Sequence, residues 1–334
     1  MNKGRRAGGY IALIGVLLSV FLFGLTTGKY PLSLAEVVDS LVSGGSQARP
    51  ADRVVWQLRL PRLVAAIFVG SALAGAGATY QAMFRNPLVS PDILGVSAGA
   101  GLGAVLGIYL AWPLAGIQLL AFLGGLAAVA AVYLISLSSR RYDPVLVLVL
   151  AGVAVSTLLG AGISLIKIIA DPYTQLPSIT FWLLGGLNAV NQNELLHALP
   201  FLMTGLIPIF LLRWRVNLLS LDELEAQSLG VRTQRLRLVL IVCATLMTAA
   251  AVSFTGIIGW VGLVIPHMAR LVVGPEFSRL LPTSLLLGAI FLLLTDTFAR
   301  TAASMELPLG VVTALIGAPF FLYLLLRGTS SRHA

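Results

Sequence analysis

Of 334 residues, 58% are apolar and 10% charged, and the mean hydropathy is +0.95. No soluble domain of this length can hide so much apolar surface, so the composition points to an all-α, polytopic membrane protein in which residues 1–334 form a single domain. The formal net charge of +9 would suit nucleic acid, but the basic residues flank apolar runs, as cytoplasmic anchors do, so no nucleic-acid partner is expected.

The apolar runs predict ten transmembrane helices, at 10–25, 63–84, 93–112, 117–137, 145–169, 195–212, 238–254, 257–268, 281–298 and 309–326. Most lie near the ~20 residues that a spanning helix requires. The first run follows Lys3, Arg5 and Arg6, with no small-residue cleavage site after it, and reads as a retained span. The second has no charge inside it. The third places Gly95, Gly99, Gly103 and Gly107 four residues apart, which on a helix makes a groove for close backbone approach. The eighth is short and carries Pro266 near its end.

Ten crossings with both termini in the cytoplasm leave fifteen basic residues inside: Lys3, Arg5, Arg6, Arg85, Arg140, Arg141, Arg213, Arg215, Arg232, Arg235, Arg237, Arg270, Arg279, Arg327 and Arg332. Seven remain outside: Lys29, Arg49, Arg53, Arg59, Arg62, Lys167 and Arg300. That asymmetry fits the positive-inside rule. A re-entrant eighth segment would weaken it.

Catalytic and metal-binding patterns are missing. No stretch matches the phosphate-loop pattern, and none of the three lysines has its setting. His197, His267 and His333 lack metal-ligand spacing. Cys243, the single cysteine, sits in an apolar run and excludes an internal disulfide. Neither enzyme activity, metal nor cofactor is expected. One segment looks built for a partner. Ser220 with Glu223 reads as a capping box, Asp222, Glu223 and Glu225 suit the positive end of a helix, and Gly230 supplies a left-handed stop. Leu221, Leu224 and Ala226 give the short helix an apolar stripe. So short a helix is marginal alone in water and needs a surface to rest on.

Six strings carry a resemblance: Arg59-Leu60-Pro61-Arg62; Arg85-Asn86-Pro87-Leu88 with Pro91-Asp92-Ile93-Leu94-Gly95-Val96; Leu150-Ala151-Gly152-Val153-Ala154; Phe181-Trp182-Leu183-Leu184-Gly185-Gly186; the run from Gly259-Trp260-Val261-Gly262 through Pro266-His267-Met268-Ala269-Arg270; and the run from Leu307-Pro308-Leu309-Gly310 through Gly317-Ala318-Pro319. Over about residues 30–327 the chain resembles the permease subunit of bacterial ABC importers for iron–siderophore complexes, haem and cobalamin, the FecCD type, whose structural model is the cobalamin permease.

The resemblance implies a ten-helix fold. It implies a second permease, identical or paralogous, two cytoplasmic ATPase subunits, and a substrate-binding protein outside. The segment with Leu221, Glu223, Leu224, Ala226, Leu229 and Gly230 corresponds to the coupling helix on which the ATPase docks. Asp222 stands where the cobalamin permease has a small residue. Arg59, Arg62 and Arg300 fall where family members meet acidic side chains of the binding protein, while Asp296, one turn before Arg300, offers a competing structural partner. Gly95, Gly99 and Gly103 are expected along the translocation path, Tyr142, Asp143 and Pro144 at its cytoplasmic gate, and Gly185 and Gly186 at the end of a partial helix that starts near Pro177. The location implied is the cytoplasmic membrane, with lipid around the helices. A ferric siderophore is the first expectation for the cargo, ahead of haem and cobalamin. The rival readings are a secondary transporter using the charges of Lys167 and Asp296, and a membrane enzyme.

Overall fold

The computed structural model describes residues 3–45, 49–138, 144–221 and 223–330. These residues form helices and connections, with no strand among them. In chain order the helices are α1 (Lys3–Thr26), α2 (Leu34–Val42), α3 (Pro50–Arg53), α4 (Leu60–Met83), α5 (Val96–Tyr109), α6 (Leu114–Ser138), α7 (Pro144–Ile169), α8 (Gln175–Leu184), α9 (Gln192–Asn217), α10 (Glu223–Ser228), α11 (Thr233–Thr255), α12 (Val261–Val273), α13 (Phe277–Thr301) and α14 (Leu309–Ser330). A π-helical turn, Val54–Arg59, joins α3 to α4 without a break.

A helix stands at each of the ten expected positions. Among the described residues, seven stretches are long and apolar enough to cross a membrane: Gly8–Thr26, Pro50–Met83, Leu114–Ser138, Val145–Ile169, Gln192–Ser220, Thr233–Thr255 and Phe277–Thr301. The other three, Val96–Tyr109, Val261–Val273 and Leu309–Tyr323, are apolar but shorter.

Two of the short ones start later than expected, each just after a residue of positive φ. Residues 91–94 form a 3-10 turn, and Gly95 then takes φ +80°, so α5 begins only at Val96. Gly95 therefore caps the helix rather than belonging to the groove of Gly99, Gly103 and Gly107. Between α11 and α12, Gly256 (φ +69°) and Trp260 (φ +71°) both leave the helical region, which moves the eighth helix from 257–268 to Val261–Val273. The Trp260 conformation is unusual for a residue with a side chain.

Helices α4 and α11 form the centre: 78% of the apolar window of each is buried, against 11% for α1 and 17% for α7 and α9. The composition of α4 explains its place. Gly70, Ser71, Ala72, Ala74, Gly75, Ala76, Gly77 and Ala78 present little side chain, so neighbouring backbones come close. A Cβ on Gly77 would fall on the Gly262 carbonyl of α12, and one on Gly70 on the Gly288 carbonyl of α13. Helix α5 repeats the device, with Gly99 and Gly103 against the backbone of α6 at Gly124 and Leu120.

Helices α4 and α13 run antiparallel along each other and define two ends of the bundle. At one end lie Arg62 and Arg300. At the other, Arg85 reaches the segment before α10, and the Phe277 N–H donates to Asn217 Oδ1 at 2.7 Å. Gly77→Val is expected to cost about 3 kcal/mol or more, because neither backbone can retreat. Gly160→Val, where no atom lies within 4 Å of the new Cβ, is expected to be tolerated. Thermal unfolding of the two detergent-purified variants checks the contrast.

Candidate functional site: a cavity where three helix ends meet

The C-terminal ends of α8 and α11 and the N-terminal end of α14 converge. The Gly186 N–H donates to the Thr255 carbonyl at 2.7 Å, and the Leu309 N–H to the Gly185 carbonyl at 2.9 Å. A Cβ on Gly310 would stand 2.5 Å from the Leu184 oxygen and 2.7 Å from that of Ile257. Helix ends leave carbonyls and N–H groups without partners, and apolar surroundings offer no water to replace them. Here the three broken ends satisfy one another. In a chain that spans a membrane, such irregular backbone survives where it is buried in protein or lines a cavity.

A cavity of about 260 Å³ lies beside this junction. Phe181, Trp182 and Phe254 give it aromatic walls, and Gln118, Ser178 and Asn188 give it polar groups. Gly185 and Gly186 border it, at the end of the expected partial helix, and Gly185 (φ +68°) turns the chain there. Arg62 and Glu306 also line it.

An ion network supports this mouth. Asp296 on α13 is fully buried. Its Oδ1 accepts from Arg62 Nε at 2.8 Å and its Oδ2 from Arg300 Nε at 3.0 Å. Arg62 Nη1 also donates to Glu306 Oε2 at 2.8 Å. Arg300 uses its other nitrogens on the carbonyls of Gly24 and Thr27, at 3.2 and 3.3 Å. Arg59 donates to the carbonyls of Leu25 and Tyr30. Helix α1 has no basic residue in its last turn. Arg59 and Arg300 thus supply positive charge to its carbonyl end from neighbouring helices.

Arg59 and Arg300, two of the three arginines expected at the binding-protein dock, face inward in this chain. Arg59 is 5% exposed and Arg300 7%, and their guanidinium groups are occupied inside the chain. The Asp296–Arg300 pairing, legible as a one-turn spacing, is present. Arg62, with an 11% exposed side chain, borders the cavity. Glu306 was missed. Its signal was available: acidic residues number only thirteen in the chain, and this one directly precedes the Leu307-Pro308 string.

Gly99 and Gly103 face α6, and a Cβ on Gly95 would stand 3.0 Å from Ser156 Oγ, so these three serve helix packing and do not border the cavity. Tyr142 and Asp143 lie outside the described residues, and Pro144 opens α7.

At the opposite end, α10 spans six residues. Ser220 does not start it. That residue ends a 3-10 turn, Leu218–Ser220, and its hydroxyl donates to the Asn217 carbonyl at 2.7 Å. The expected stop is present. Gly230 has φ +80°, its N–H donates to the Gln227 carbonyl at 2.9 Å, and the Val231 N–H to that of Ala226 at 3.1 Å. This pair of bonds is the Schellman closure. Ala226 is buried and Leu229 is 61% exposed. Leu221 is half-buried and lies before the helix; Glu223 and Leu224 are in its first turn.

The model of the FecCD transport family matches residues 16–327. The chain belongs to that family. Among relatives, a probable iron chelatin transport system permease protein of Helicobacter pylori (strain ATCC 700392 / 26695) is 41% identical, over 95% of this chain and 97% of the relative. The molybdate import system permease protein MolB of Haemophilus influenzae (strain ATCC 51907 / DSM 11121 / KW20 / Rd) is 40% identical, over 95% of each chain. A solved structure, described as "an inward-facing conformation" of a "metal-chelate type ABC transporter", superposes with a TM-score of 0.87 at 38% identity, covering 95% of this chain and 98% of its own.

In this FecCD family member, Asp296→Ala is expected to cost about 3–5 kcal/mol, because two buried guanidinium groups lose their counter-charge. Glu306→Gln, at a 36% exposed side chain, is expected to cost no more than about 1 kcal/mol. Thermal unfolding in detergent separates the two.

Proposed function

We propose that this chain is the permease subunit of an ABC importer and that its cargo is a metal chelate, a ferric siderophore first. The cavity at the α8–α11–α14 junction carries the reading. It is a lined opening with aromatic walls and a few polar groups, next to a site of broken helices. Nearly full-length similarity to a metal-chelate transporter structure and to an iron chelatin permease supports it. The similarity to a molybdate permease favours a second reading, in which the cargo is an oxyanion.

In this reading ten helices cross the cytoplasmic membrane with both termini inside, and the three short apolar helices are crossings. The cavity is one wall of the translocation path. Phe181, 61% exposed, and Leu315, 71% exposed, are apolar residues that a second permease would cover. The segment with α10 receives the ATPase subunits, through Leu221, Glu223, Leu224 and the exposed Leu229, while Ala226 and Gly230 hold its shape. The binding protein docks at the other end, where Arg62 is the most open of the three expected arginines and Arg59 and Arg300 keep the platform rigid. The gate is the loop of Tyr142, Asp143 and Pro144. Ion coupling through Asp296 is not favoured, since both of its oxygens are held by guanidinium groups.

The deciding experiment reconstitutes the permease with its ATPase subunits and binding protein in proteoliposomes. ATP hydrolysis and uptake are measured with ferric siderophores, haem, cobalamin and molybdate. Stimulation by a ferric siderophore is the expected result. Stimulation by molybdate alone would replace the chelate reading with the oxyanion one. Leu229→Asp is expected to abolish uptake while the permease remains inserted. Normal uptake together with ATPase co-purification in that variant would refute the coupling role.

Orientation has its own check. With Cys243 replaced, a cysteine at Ser304 is expected to react with an impermeant thiol reagent added to intact cells. A cysteine at Ser228 is not. Outside labelling at Ser228 would reverse the topology.

A further inference from the structure

A second cavity, of about 710 Å³, lies at the α10 end of the bundle, between the end of α4, the end of α9 and the α12–α13 connection. Two arginines line it. Arg270 Nη2 donates to Gln81 Oε1 at 3.1 Å, and Gln81 Nε2 in turn donates to the Leu263 carbonyl at 3.1 Å. Arg270 Nη1 is buried and meets no acceptor among the described residues. A buried donor without a partner is uncommon and calls for a physical account. Arg85 adds the second guanidinium, with Nε donating to the Leu219 carbonyl at 2.7 Å and Nη2 to that of Leu221. It holds this position with φ +52°, a backbone region that side chains other than Asn and Asp rarely adopt. Asn86 Oδ1 accepts from the Leu88 N–H at 2.9 Å, so its amide nitrogen is a neutral donor at the rim.

One carboxylate, Glu276, also lines the cavity. Its Oε2 is bound by Arg279 Nε at 2.6 Å, which offsets its charge. Two guanidinium groups therefore dominate the lining, one of them with an unused buried donor. Guanidinium forks are matched to phosphate oxygens. The volume exceeds what a single phosphate fills and leaves room for the group that carries it.

We propose that this cavity binds a phosphate group, either free phosphate or the headgroup of an anionic lipid, through Arg270 and Arg85 with Asn86 at the rim. Arg270 Nη1 is buried beside the cavity, so a turn of the guanidinium is what brings this unpartnered donor to the bound anion. Arg85 also grips the carbonyls of Leu219 and Leu221, so the occupant steadies the segment that leads into α10. The site lies away from the cavity at the α8–α11–α14 junction and does not depend on which cargo is carried.

The test uses the full-length permease with its ATPase subunits in nanodiscs of phosphatidylcholine. Melting temperature is followed while sodium phosphate replaces sodium chloride at constant ionic strength, then again in nanodiscs that contain phosphatidylglycerol. A rise with phosphate assigns the site to the free anion. A rise only with phosphatidylglycerol assigns it to the lipid headgroup. Either rise should be weakened about tenfold in concentration by Arg270→Gln, which removes the charge while keeping an amide beside Gln81. Ser220→Asp tests the site without touching a binding group, because this exposed residue lines the cavity and the new carboxylate repels an anion. No rise in either lipid overturns the proposal. So does a rise that both variants leave unchanged. If Arg270→Gln weakens ATPase retention and leaves both melting responses intact, the cavity is a protein-docking socket and the anion site is rejected.

Discussion

One buried carboxylate, Asp296, organises an entire end of this molecule. In an apolar interior an ion survives only when paired and hydrogen-bonded, and here each carboxylate oxygen is held by a different arginine. The arginines then use their remaining nitrogens elsewhere. Arg300 reaches the closing carbonyls of α1, and Arg62 reaches Glu306 beside the cavity. Three helices and the loop before α14 are fixed through a single charge. Such a pair is weak evidence for net stability, because desolvation opposes it. Its stronger consequence is geometric: the angles at which α1, α4 and α13 meet are set by bonds that tolerate little displacement.

The second constraint is the need to satisfy the backbone without water. At the α8–α11–α14 junction each helix break is answered by another broken end. Gly185 and Gly256 turn the chain at the ends of α8 and α11, and the carbonyls and N–H groups so released pair with each other and with the start of α14. The cavity is therefore tied to the breaks. Elsewhere, unbroken helices pack through glycine, as Gly70 does against Gly288 and Gly77 against Gly262. The result is a dense block of α4, α12 and α13. By contrast α7, only 17% buried along its apolar window, is held by far less of the chain.

How much of this was legible in the sequence follows from the range of the interactions. Apolar runs are local, so a helix appeared at every expected position. Gly230 as the stop of α10 and Asp296 as a partner of Arg300 are also local and were readable. The breaks at Gly95 and Trp260 were not, because they answer to neighbours far away in the chain. Nor was the start of α10, where Ser220 turns its hydroxyl to Asn217 in place of the capping box. The arginines show the limit most clearly. A sequence shows a positive charge near a helix end but not which carbonyls it meets, and the partner of Arg62 at Glu306 lies 244 residues away. Only tertiary structure distinguishes an arginine facing out from one that closes a neighbouring helix.

The two ends of the block are linked by the same pair of helices. Helix α4 carries Arg62 at one end and, just beyond its last turn, Arg85 at the other. Helix α13 starts at Phe277, whose N–H is held by Asn217, and ends at Asp296 and Arg300. The segment before α10 is bonded to both helices at one end, and the cavity mouth is bonded to both at the other. Glycine contacts along their length leave no slack for one to slide past the other. In the function proposed above, a displacement imposed at α10 would reach the mouth by moving α4 and α13 together as one body. Helix α7 lies outside that body, packed against α5 and α6. In that proposal, the position of this body relative to α7 is the variable that an open and a closed path would change.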